Sequence, residues 1–282
     1  MFNFFKRGQN DPKKELKALL GDFDLPSFPA VVMEVLSKLR DPDSSLNDIA
    51  SQIEIDPGMN IKILQLVNSA AFGLSTKVSN LHHAVTMLGR SRLESLLLTY
   101  AVATTVPTKM ICMNDSLFWL VSARRACLAR RIALLLHPTT QSESFTAALL
   151  QDMAIPLISD VKKQSYKELL DKWNTEKEVD IDKMERDIFG YDHPSVGALV
   201  AQEWSLPEFL INSIAGHHDL SEQSAAEPAV RLVSLLRYST EDDDTERLFE
   251  TAQNNFGIGK PVLEEIVVKA FDEAEQFAAT FK

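Results

Sequence analysis

Apolar residues recur along this chain every three or four positions and almost nowhere every second one. Phe28, Val32, Val35, Leu36 and Leu39 form the first clear stripe, opened by Ser27 with Pro29 and closed by Asp41-Pro42. Such spacing puts side chains on one face of a helix, and proline suits a first turn but not an interior. Ser44-Ser45 opens a second helix carrying Leu46, Ile49, Ala50 and Ile53. Asp56-Pro57 opens a third carrying Met59, Ile63, Leu64 and Val67, which Asn68 to Gly73 breaks. The same periodicity predicts helices over about 80–89, 91–106, 115–136, 142–158, 162–173, 176–188, 192–204, 207–218, 227–239 and 260–279. No run alternates in twos between hairpin signals, so no sheet is predicted. The fold class is all-α, which suits a chain with 10 glycines in 282 residues.

Residues 1–24 read as a flexible charged tail holding at most one frayed helix. The stretch Pro107 to Asp115 separates an N-terminal helical lobe, 25–108, from a helical bundle, 109–220. Glu222 to Pro228 reads as a loop inside a C-terminal helical extension, 221–282, and Glu241-Asp242-Asp243-Asp244 as a solvated acidic turn before a helix.

Hydrophobic residues make up 45% and charged residues 24%, ordinary values for a globular chain. The net charge of -11 repels phosphate backbones, so nucleic acid is not an expected partner. With only Cys112 and Cys127 there is no disulfide framework, which points to a reducing compartment. The longest apolar stretch, Leu93 to Val106, is interrupted by Glu94, Ser95, Thr99, Thr104 and Thr105, so no transmembrane segment is predicted. The start, Met1-Phe2-Asn3-Phe4-Phe5-Lys6-Arg7, has the reverse order of a secretory signal and reads as a tail. The expected location is cytoplasmic.

Candidate chemistry gathers late in the chain. Asp152 lies in an otherwise apolar helical run, His193 follows Asp192 at a helix start, and His217-His218-Asp219 closes another helix. Divalent metals take neutral imidazoles and carboxylates delivered by rigid elements. Singly, each histidine reads as a capping or packing residue, since a helix C-terminus favours histidine through its dipole; together they point to one polar pocket. Arg124 and Arg131, seven apart, share a helix face that would receive an anionic ligand or an acidic partner, or simply carry ion pairs in solvent. The Leu46 to Asn68 stretch has a helix–turn–helix look, but of Asn60, Lys62, Gln65 and Asn68 only one is basic, so a packed helical hairpin is the plainer reading.

Leu25-Pro26-Ser27-Phe28-Pro29 resembles the opening of the HDOD family, as do Asp41-Pro42-Asp43-Ser44-Ser45-Leu46, Ile49-Ala50 and Ile55-Asp56-Pro57. Leu64-Gln65-Leu66-Val67-Asn68-Ser69-Ala70-Ala71-Phe72-Gly73 is the most specific segment, and Ala84-Val85-Thr86-Met87-Leu88-Gly89 follows it in the family's order. The resemblance runs from about residue 25 to about residue 220. It implies an HD-like multi-helix bundle with an N-terminal helical lobe, related to HD-domain phosphohydrolases that hold divalent metals with a helix-borne histidine, a His-Asp doublet and a later aspartate. Here Asp152 matches the doublet's aspartate, Gln151 stands for its histidine, Val121 falls where the first histidine belongs, and no aspartate occurs from Ser234 to Arg237. His193 with Gly197, and His217-His218-Asp219, resemble auxiliary ligand segments of the HD-GYP phosphodiesterase branch.

Valine offers no lone pair and glutamine only a neutral oxygen, so most of that coordination sphere is gone. The resemblance therefore implies a non-catalytic signalling or regulatory module, acting through a protein partner in trans or a small phosphorylated ligand. No catalytic residue and no cofactor are expected. Asp152, His193, His217, His218, Arg124 and Arg131 are the candidate ligand-binding residues, and the first four are residual candidates for a weakly held divalent metal. Two other readings stay open: a metal-dependent phosphohydrolase or phosphodiesterase with an unusual site, and a helix–turn–helix DNA-binding regulator.

Overall fold

Side-chain caps set where many of the helices begin. Asp11, Ser45, Asp56, Asn80, Asn114 and Asp192 each accept a hydrogen bond from a backbone N–H in the first helical turn that follows, groups that have no partner inside a helix. The computed structural model describes residues 11–21, 23–72, 76–107, 110, 112–176, 179–238 and 245–281. Its α-helices are α1 (Pro12–Leu20), α2 (Ala30–Arg40), α3 (Leu46–Glu54), α4 (Pro57–Val67), α5 (Leu81–Thr105), α6 (Asp115–Leu136) and α7 (Gln141–Leu150). They continue with α8 (Ala154–Thr175), α9 (Ile181–Phe189), α10 (His193–Glu203), α11 (Glu208–Gly216), α12 (Pro228–Val233), α13 (Thr245–Phe256) and α14 (Lys260–Ala278). Among the described residues there is no strand, and no helix is long and apolar enough to cross a membrane. The chain is all-α.

One departure from the periodicity has a local cause. The helix predicted over 142–158 stops at Leu150, turns through Gln151, Asp152 and Met153, and restarts as α8. Pro156 explains the break: its ring would collide with the Asp152 carbonyl in a continuous helix, whereas in a new first turn its missing N–H costs nothing. The single helix allowed for in residues 1–24 is α1, held because Leu16 and Leu20, one turn apart, are buried and α1 packs on α10. The final predicted break before 91 does occur, at Gly89 with φ 69°, a backbone region glycine enters freely. Helix α13 lies in the region read only as a helical extension; the acidic run Glu241–Asp244 and the apolar start of the chain lie outside the described residues.

Helix α6 is buried among α7, α12 and α14, and α5 packs on α7 to join the N-terminal helices to the bundle. The C-terminal helix α14 reaches both parts. Phe277 stands 6.2 Å from Phe72 and 5.5 Å from Phe145, and Phe72 is 5.7 Å from Phe145, ring centre to ring centre. Lys62 donates a hydrogen bond to the Thr280 carbonyl across the same seam. Phe277 is fully buried, so Phe277→Ala opens a cavity where three segments meet. Denaturant unfolding of that variant is expected to lose about 3–5 kcal/mol of stability, with one cooperative transition retained.

Candidate functional site

Three helix junctions deliver the ionisable groups. Asp152 sits in the turn between α7 and α8, His193 is the first residue of α10, and His217 and His218 follow the end of α11. Helices α10 and α11 approach closely because residue 197 is glycine: a Cβ there would stand 2.8 Å from the Ile214 Cγ2, well inside the contact distance of two carbons. That approach brings His193 Nε2 to 3.0 Å from His217 Nε2 and 3.3 Å from His218 Nε2. The Asp152 Oδ1 lies 3.4 Å from His193 Nε2 and 3.2 Å from His217 Nε2. His193 and His217 are fully buried, Asp152 is buried, and His218 is partly exposed.

The far sides of His193, His217 and Asp152 are held. Glu185, on the buried face of α9, accepts from both the backbone N–H and the Nδ1–H of His193, at 2.8 and 2.7 Å, and Tyr166 donates its hydroxyl to the other Glu185 oxygen. His217 donates Nδ1–H to the Ile214 carbonyl at 2.7 Å, which turns its Nε2 towards the cluster. Asp152 Oδ2 accepts hydrogen bonds from Arg125 Nη1 and the Tyr238 hydroxyl. Arg125 spends further N–H groups on the Leu236 carbonyl and lies over the Tyr238 ring at 4.9 Å. Asp152 Oδ1 has no aligned hydrogen bond; it lies beside the Nε2 atoms of His193 and His217.

Electrostatics follow the contacts. Burial alone would raise the Asp152 pKa, but Arg125 with His193 and His217 outweighs it and holds the carboxyl well below its usual range. Burial disfavours the His193 imidazolium, yet Glu185 and Asp152 overcome it and raise the pKa to about 10. Burial and the neighbouring His217 and His193 push His218 well below the ordinary histidine value.

Of the sequence candidates, His193, His217 and His218 form one cluster, Asp152 meets it at His193 and His217, and Asp219 is exposed beyond it. Arg124 and Arg131 lie elsewhere, against α14: Arg124 is 3.7 Å from Glu275 and over the Phe271 ring, and Arg131 pairs with Glu273, which Arg130 also reaches. Val121 is buried and Gln151 is buried with neither amide atom hydrogen-bonded. In the Leu46 to Asn68 hairpin, Lys62 is turned to Thr280 and Asn68 is bonded to Leu64 and Val78, so two of the four polar groups that DNA would need are used inside the fold.

Sequence reasoning missed Arg125, Tyr238, Glu185 and Tyr166. The signal for Arg125 was present: Phe118, Val121, Ser122 and Arg125 fall three or four apart on the buried stripe of α6, while Arg124 is turned about 100° from it. Glu185 likewise shares its helix face with buried Ile181 and Met184.

The three imidazoles of His193, His217 and His218 offer nitrogens that suit a transition-metal ion, and Glu185 behind His193 is the outer-shell carboxylate such ligands commonly have. In metal-free protein the raised His193 pKa stabilises the fold. That contribution is complete below the unfolded value of 6.5 and is lost as pH rises towards about 10. Melting temperatures in chelator are expected to fall over that window for wild type and to fall less for Glu185→Gln.

The model of the HDOD domain family matches residues 25–220. An uncharacterised protein of Treponema pallidum (strain Nichols) is 26% identical over 220 residues, covering 77% of this chain but 41% of that protein; the chain thus spans less than half the length of this curated relative. Among solved structures, an HDOD domain protein of unknown function from Geobacter sulfurreducens superposes with a TM-score of 0.71 at 22% identity, covering 96% of this chain and 95% of its own. A Shewanella amazonensis SB2B protein provisionally named a phosphohydrolase gives 0.72 at 22%, covering 94% and 97%. A Marinobacter aquaeolei VT8 protein provisionally named for signal transduction gives 0.70 at 16%, covering 98% and 62%. At these identities the structural likeness carries the fold alone, but the family match spans most of the chain and coincides with the segments that position the site: this protein belongs to the HDOD family.

Proposed function

We propose that this chain is a non-catalytic regulatory module that acts by binding a signalling protein in trans. The observation that carries the reading is the state of Asp152. Its Oδ2 is occupied by Arg125 and Tyr238, so the carboxylate has one free oxygen, and that oxygen faces the buried imidazoles of His193 and His217. A hydrolytic metal centre keeps an open position for water and substrate. Here the remaining donors close on one another, while Val121 and Gln151 put no strong ligand where further ones would stand. The provisional naming of one structural relative for signal transduction agrees with this reading, and that of another as a phosphohydrolase names its rival.

The rival is tested directly. Purified full-length protein, supplied in turn with Mn2+, Fe2+ and Zn2+, is expected to hydrolyse generic phosphomonoesters, phosphodiesters and cyclic dinucleotides no faster than the protein-free blank. Turnover above the blank that disappears in Asp152→Asn would sink the regulatory reading.

A further inference from the structure

We propose that Arg92 and Arg130 form a binding site for one phosphoryl group, either free phosphate or the head of a small phosphorylated ligand, at the seam between the N-terminal helices and the bundle. None of the residues that line it belongs to the histidine cluster. The site goes beyond the regulatory reading, which does not depend on it.

Four segments build the pocket. The turn after α4 supplies Phe72, α5 supplies Arg92 and Ser95, α6 supplies Arg130, and α7 supplies Ser142 and Phe145. Its interior has room for one water-sized atom, and its mouth opens to solvent. One oxygen of a tetrahedral oxyanion therefore seats inside, with the rest of the group at the mouth. The apolar wall is fixed by the seam itself: Phe72 and Phe145 stand 5.7 Å apart, and the Arg130 guanidinium lies over the Phe145 ring at 5.6 Å. A group held by Arg92 of α5 and Arg130 of α6 joins the N-terminal helices to the bundle.

Charge names the ligand. Arg92 is half-buried and donates to the Phe72 carbonyl, one use among the five N–H groups of a guanidinium. Burial and the like charge of Arg130 both lower its pKa. Arg130 in turn shares its carboxylate, Glu273 of α14, with Arg131. Glu143, next to Ser142, faces the Ser91 hydroxyl at 3.5 Å. Positive charge is thus gathered at this pocket in a chain whose net charge is -11, and partly buried charge calls for a counter-charge. Guanidinium groups match phosphate oxygens in geometry and bind them with charge-assisted hydrogen bonds. Ser142 lies in the first turn of α7, which no side chain caps, so the positive end of that helix adds to the same field.

The test uses the full chain in phosphate-free buffer, with inorganic phosphate as the probe. Calorimetry is expected to show saturable binding of one equivalent, and the melting temperature to rise with phosphate concentration, as it does for a ligand of the folded state alone. Sodium chloride at equal ionic strength should produce neither effect. Arg92→Gln should weaken binding about 10-fold or more. Arg124→Gln, on the same helix as Arg130 but beside Glu275, should bind as wild type does. Ser142→Asp, which tethers a carboxylate at the pocket, should abolish binding and carries the comparison where Arg92→Gln yields no folded protein. A phosphomonoester titrated in parallel separates the two sources: binding equal to that of phosphate identifies a phosphorylated compound as the ligand, and binding of inorganic phosphate alone identifies the free ion. No saturable phosphate binding, an effect that chloride matches, or binding that survives Arg92→Gln or Ser142→Asp would overturn the proposal. These readouts are binding and melting, so they succeed or fail independently of the hydrolysis assay.

Discussion

The ion pair between Arg125 and Asp152 is the constraint on which the site's arrangement rests. Both groups are almost wholly buried, and taking two charges out of water is repaid only when the remaining hydrogen-bonding capacity is filled. Around the guanidinium and the Asp152 Oδ2 it is filled. Tyr238 reaches the carboxylate, the Leu236 carbonyl takes two guanidinium N–H groups, and the Tyr238 ring underlies the charge. Removing either partner alone would strand a buried charge, at a cost of about 3–5 kcal/mol. The pair therefore fixes α6, the turn between α7 and α8, and the segment after α12 relative to one another.

The asymmetry of the carboxylate follows from that pair. One oxygen belongs to the scaffold and the other to the histidines, so Asp152 joins two systems that would otherwise be independent. The outer contacts of the histidines have the same character: Glu185 is pinned by Tyr166 and by the start of α10, and His217 by its own helix end. Each ring is oriented from behind by a group that does not itself enter the cluster. Rigid backing of this kind keeps like-facing nitrogens near 3 Å from each other, a separation that relaxed surface histidines would not hold.

Helix content was largely legible from sequence because a buried stripe at 3.6-residue spacing has one physical meaning. The places where it failed are those where a local rule overrode a continuous stripe. Apolar residues run through Leu149, Leu150, Met153, Ala154, Ile155 and Leu157, yet Pro156 ends the helix among them. Helix α1 was legible only as a frayed helix in a charged tail, because the burial of Leu16 and Leu20 depends on α10. For the site, ionisable groups at the ends of apolar helices placed Asp152, His193 and His217 in one neighbourhood. Arg125, Glu185 and Tyr238 escaped notice because a charge or a hydroxyl in a helical stretch reads as surface unless its face is followed turn by turn. Arg124 and Arg131 were singled out for sharing a face, and that face proved to be covered by the acidic and aromatic residues of α14.

The clamp has a consequence for how the site communicates. His217 meets Asp152 at Oδ1 and Tyr238 meets it at Oδ2, so the chain between them leaves the carboxylate and returns to it. Within that loop Ser221, Glu222 and Gln223 are exposed, while Arg231 holds the Ser221 carbonyl and lies over Phe256 of α13. Both ends of this segment meet the same carboxylate, and the segment carries surface residues between its buried anchors. Coupling between sites needs a physical element that both of them bias. In this fold that element is short, contiguous and tied at each end to the same carboxylate.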